Sequence, residues 1–140
     1  MSVFPGDATD LTRLLVVTDL ARSIAWYRDV LGADLVGEYV GTSAVFRLVQ
    51  AWLLIVTGGE PTADKPTVTM APPADADQAS AELIVAVPDC RAAYAELVAR
   101  GASFLSEPVE YGWEIRAFFR DPDGHLFEIS QRKGGTAATD

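Results

Sequence analysis

The sequence predicts a single α+β domain built from two copies of one strand–helix–strands module. Three observations carry this: one apolar strand-like run opening each half, an Asp-led helix ending in glycine after each run, and a near-constant spacing between the halves. Residues 14–19 (Leu-Leu-Val-Val-Thr-Asp) fall on residues 84–89 (Ile-Val-Ala-Val-Pro-Asp) at an offset of 70 positions. A module whose one sheet face cannot be buried alone pairs with its copy, and two curved sheets meeting leave a cleft between them.

Module one is expected over residues 11–57. Residues 11–17 are rich in Leu and Val, as strands are. Thr18-Asp19 then supplies a helix N-cap, and Leu20, Ile24, Tyr27 and Leu31 recur at helical spacing before Gly32 closes the helix. Three further strand-like runs, 35–40, 43–49 and 52–57, are separated by Gly41-Thr42 and Gln50-Ala51 and read as an antiparallel meander. Residues 58–80 carry Pro61, Pro66, Pro72 and Pro73 among small polar residues and read as a linker, with room for a short strand at 67–70.

Module two is expected over residues 81–131. A strand at 82–87 leads through Pro88-Asp89 into a helix with Cys90, Ala93, Tyr94, Leu97 and Val98 as its apolar face, closed by Gly101. Strand-like runs follow at 103–105, 113–119 and 126–131, the last two joined by a tight Asp121-Pro122-Asp123-Gly124 turn. Residues 132–140 read as a flexible tail.

Composition narrows the function. The chain of 140 residues is the size of an ordinary domain, and its 49% hydrophobic and 22% charged residues are ordinary for a globular protein. Eleven basic against 20 acidic residues give a net charge of −9 with no basic cluster, which argues against nucleic-acid binding and suits solubility or attraction of cations. No apolar run is long enough to span a membrane, and residues 1–10 lack the pattern of a secretory signal, so a cytoplasmic location is expected. Cys90, the only cysteine, excludes an intrachain disulfide and a paired-thiol zinc site and suits packing.

The string 17–32 (VTDLARSIAWYRDVLG), together with 87–101 (VPDCRAAYAELVARG) and 119–129 (FRDPDGHLFEI), resembles the glyoxalase/bleomycin-resistance/extradiol-dioxygenase family, the vicinal oxygen chelate superfamily. The resemblance covers roughly residues 11–131. It implies a βαβββ module used twice, a cup-shaped mixed eight-stranded sheet around a cleft with helices on the outer face, and a homodimer. It also implies four cavity-facing positions that hold a metal in metal-using members. These map to Thr12, Leu54, Glu82 and Glu128, of which only Glu82 and Glu128 offer good ligands. A tightly held Lewis-acid metal normally has three or four protein ligands. No cofactor is therefore the leading expectation, with a divalent metal on Glu82 and Glu128 as the alternative.

The same glutamates, close together in a partly dry cleft, form a candidate acid/base pair. Each is equally well read as pairing with an arginine such as Arg47 or Arg116. His125 stands three residues from Glu128, so strand alternation turns it away from the cavity toward a structural role. Alternation also puts Thr12, Leu14, Val16, Ile84, Ala86, Leu126 and Ser130 on the cavity side. Trp52, Leu54, Phe46, Tyr111 and Trp113 are candidate ligand contacts, since aromatics offer flat walls for planar or cationic compounds; Tyr39 lies in the same meander. The expected function is metal-independent binding or sequestration of an aromatic or cationic small molecule. The alternative is a metal-dependent lyase, isomerase or dioxygenase acting on vicinal oxygens through Glu82 and Glu128.

Overall fold

The computed structural model describes residues 2–134. Each half runs strand, helix, then an antiparallel set of strands. Module one comprises β1 (Thr12–Val17), α1 (Leu20–Asp29), β2 (Asp34–Tyr39), β3 (Ser43–Leu48) and β4 (Ala51–Thr57), in the sheet order β1-β4-β3-β2. Module two comprises β5 (Leu83–Ala86), α2 (Cys90–Ala99), β6 (Ser103–Phe104), β7 (Val109–Glu110), β8 (Glu114–Arg120) and β9 (Leu126–Arg132), in the order β5-β9-β8-β6 with β7 also on β8. The fold is α+β, with the same strand order in both halves. The eight-strand expectation becomes nine because the last edge strand is split. β6 and β7 both pair with β8, and Pro108 between them has no N–H to continue the ladder.

Local chemistry sets the element ends. Asp19 and Asp89 each cap a helix, accepting hydrogen bonds from the N–H groups of Arg22 and Ala92. Gly32 and Gly101 follow the helices at φ 82° and 109°, a region open to glycine at little cost. The β3–β4 turn instead puts Val49 at φ 55°.

One continuous core spans both modules. On α1, Tyr27 is fully buried and meets Phe46 at 5.7 Å, while the neighbouring Trp26 reaches Phe119 and Phe127 of module two at 6.2 and 5.9 Å. Tyr27 donates a 2.7 Å hydrogen bond to Asp121, and burial, then the Asp121 charge, raise its phenol well above the ordinary value. Asp123 of the same turn accepts from the Thr18 backbone N–H at 3.1 Å and hydroxyl at 2.7 Å, fastening the β8–β9 turn to the start of α1. On α2, Cys90 and Leu97 are buried as expected, but Val98 is 45% exposed and lies outside the core.

Candidate functional site

Alternation along β8 and β9 sorts side chains onto two faces. Ile115, Ala117 and Phe119 are buried in the core, as are Phe127 and Ile129. Glu114, Arg116, Phe118 and Arg120 share the opposite face with Leu126, Glu128 and Ser130, because Phe118 pairs with Glu128 and Arg116 with Ser130. On the neighbouring strand Ile84 pairs with Glu128, and Glu82 stands two residues before it, just outside β5.

Glu128 is 4% exposed. Burial, then the charge of Glu82 and a hydrogen bond with it, then Glu114, raise the Glu128 carboxyl to about 7, with Arg116 opposing. Oε1 of Glu82 is buried without a hydrogen-bond partner among the described residues. Nearby donors are committed elsewhere. Arg116 Nη1 and Ser130 Oγ both donate to Glu114 at 2.8 Å. Thus neither arginine named from the sequence forms an ion pair with Glu82 or Glu128. Arg47 instead lies over Trp52, 4.5 Å from its ring centroid.

Module one has the same geometry with different chemistry. Leu14 opposes Leu54 in parallel pairing, as Ile84 opposes Glu128, so Leu54 is the equivalent of Glu128 and Thr12 that of Glu82. Thr12 is exposed at the start of β1, and Leu54 is half-buried beside Val45. A divalent metal implied by the fold would meet two carboxylates, one hydroxyl and one alkyl side chain, which does not fit a tightly held ion. Among the described residues no three His, Cys, Asp or Glu side chains are grouped to hold a metal.

The aromatic candidates divide. Trp52 lies on the cavity side with Thr12 and Leu54, but Phe46 pairs with Leu53 on the core side and is fully buried against Tyr27, so it is no ligand wall. Tyr39 is 64% exposed on an edge strand. Tyr111 and Trp113 precede β8 and stack at 5.6 Å, and Arg116 lies over Tyr111 at 4.6 Å and Phe118 at 5.6 Å. The sequence reading missed Glu114 and this ring–guanidinium stack. His125 Nε2 lies 2.7 Å from the Val16 carbonyl oxygen, tying the start of β9 to β1.

A groove of about 500 Å³ lies between β1, the linker and the starts of β5 and β9. Leu14, Val16, Met70, Leu83 and Leu126 line it, with linker residues 73–76 and 78–81 along one side. The linker is held there by paired backbone bonds between Gly59 and Met70 and by an ion pair of Arg120 with Asp77 at 2.5 Å.

Several known structures share this architecture. TioX from Micromonospora sp. ML1 is 22% identical, the match covering 90% of this chain and 100% of that one with a TM-score of 0.70. A lactoylglutathione lyase from Agrobacterium tumefaciens is 18% identical over 89% and 93% of the two chains, TM-score 0.68. TnmS3, an antibiotic binding protein from Streptomyces sp. CB03234, is 20% identical over 90% and 97%, TM-score 0.65. At these identities the likeness is one of fold. No curated protein matches the chain. The family model described as Glyoxalase/Bleomycin resistance protein/Dioxygenase superfamily matches residues 10–129, and the chain belongs to that superfamily.

Proposed function

We propose that this chain is a metal-independent binder of a small aromatic or cationic molecule, working in the cytoplasm as a homodimer. One observation carries the reading: the four positions expected to hold a metal present Thr12, Leu54, Glu82 and Glu128, and among the described residues neither of the two carboxylates forms an ion pair. Such a pair favours a donor-rich or positively charged guest over an anion. Trp52 and the stacked Tyr111–Trp113 pair supply partly exposed aromatic surface. TnmS3, described as antibiotic binding, is a precedent for small-molecule binding on this fold. The homodimer draws support from Leu14 and Ile84, apolar cavity-side residues that are 38% and 59% exposed in the single chain. A second reading, an enzyme using Glu82 and Glu128 as an acid/base pair with or without a metal, is favoured by the raised carboxyl of Glu128.

Elemental analysis of protein purified without chelator, followed by calorimetric titration with Mg²⁺, Mn²⁺, Zn²⁺ and Fe²⁺, separates the two. The expected result is no stoichiometric metal, together with binding of an acridinium dye that weakens in Glu128→Gln. Stoichiometric metal that disappears in Glu128→Ala would overturn the metal-independent reading.

A further inference from the structure

We propose that residues 71–81 form a strap that closes the groove and opens without the modules unfolding, with the Asp77–Arg120 ion pair as its latch. Matched positions in the two halves show what the linker covers. Val16 and Ala86 occupy the same place on the cavity side of β1 and β5, Val16 opposite Val56 and Ala86 opposite Ser130. Val16 is 6% exposed, whereas Ala86 is open to solvent. The groove that Val16 lines is walled by Met70 and the strap, and it takes in only Leu83 of β5. The linker therefore covers one half of the duplicated face and leaves the other bare.

The strap is fixed at its ends and lightly held between them. Upstream, Gly59 and Met70 exchange backbone hydrogen bonds at 3.0 and 2.8 Å, and downstream Leu83 begins β5. Between these posts the N–H groups of Gln78 and Asp77 donate to Asp75 within the strap itself. Among the described residues none of 58–82 belongs to the buried core. Pro72 and Ala76 are half-buried, and the rest of the strap is exposed. Its middle rests on module two. A Cβ added to Gly124 would stand 3.0 Å from that of Ala76, and Asp77 pairs with Arg120 at 2.5 Å. The Asp77 side chain is 84% exposed, so this pair exchanges readily for water. A segment with so few buried contacts opens at a lower free energy than the core the modules share. Opening uncovers Leu14, Val16 and Leu126 and admits solutes to the groove.

The test is thiol labelling of the full chain carrying Val16→Cys, with the native Cys90 as internal reference. Cys90 is fully buried on α2, so its labelling reports opening of the core. Fluorescein maleimide is added under native conditions, and the labelled peptides are resolved by mass spectrometry. The introduced thiol is expected to react at least tenfold faster than Cys90 and at least tenfold slower than in the urea-unfolded chain. Asp77→Ala is expected to speed its labelling about twofold to fivefold, the range for an exposed ion pair, and to leave Cys90 unchanged. Leu126→Cys carries the same test from β9 should Val16→Cys fail to fold, with folding checked by circular dichroism. Equal rates for the introduced thiol and Cys90 would overturn the strap, because the groove would then open only when the modules unfold. Labelling as fast as in the unfolded chain would show that the strap never closes the groove. An unchanged rate in Asp77→Ala would overturn the latch.

Discussion

Glu128 carries the most unusual chemistry in the chain, and its effect on stability has a definite sign. Its carboxyl is raised from 4.5 to about 7 on folding, so folding favours the protonated form. The native state then holds more protons than the unfolded chain between those values, and stability must fall as pH rises through the window. The contribution is fully present below pH 4.5 and lost above about 7, and is on the order of 3 kcal/mol. Denaturant titrations from pH 4.5 to 8 should show this decline in wild type and a flatter profile in Glu128→Gln, with the variant the more stable protein at pH 8. A wild-type profile that is flat across the window would show that the Glu128 carboxyl is not raised on folding. Glu128 was legible as a candidate because it stands at a position the family resemblance singles out and alternates with buried Phe127 and Ile129. Glu114 escaped notice because its importance lies in diverting Arg116 and Ser130, which only the cross-strand geometry reveals.

At the scale of elements, the Asp121-Pro122-Asp123-Gly124 turn does more than reverse the chain. Its first aspartate receives the Tyr27 hydroxyl, and its second receives both the backbone N–H and the hydroxyl of Thr18. The turn was readable in the sequence; its docking on α1 was not, since hydrogen bonds between residues about a hundred positions apart leave no local pattern. Asp123→Ala should cost about 1–3 kcal/mol, the range for losing charge-assisted hydrogen bonds at a part-buried site. Thermal melts of Asp123→Ala and Thr18→Ala, with the double variant, measure the coupling; fully additive losses would show that the contact does not fasten the modules. Helix limits were equally legible, through Asp19, Gly32, Asp89 and Gly101. Strand limits held where alternation was clean and failed at 105–110, where one edge strand is divided around Pro108.

For the whole molecule, the duplicated pattern announced two modules, and the structure shows that they share one interior. Trp26 of α1 reaches Phe119 and Phe127 of module two, and no boundary divides the buried residues of the two halves. Unfolding should therefore be a single cooperative transition, coincident by near- and far-ultraviolet circular dichroism. Two resolved transitions would mean that the modules are separable after all. Duplication also sets a ledger of sites. The halves match strand for strand, yet the positions occupied by an acidic couple in one hold a hydroxyl and an isobutyl group in the other. The two halves thus differ in chemistry at matched positions, and among the described residues the acidic couple occurs in one half of each polypeptide rather than in both.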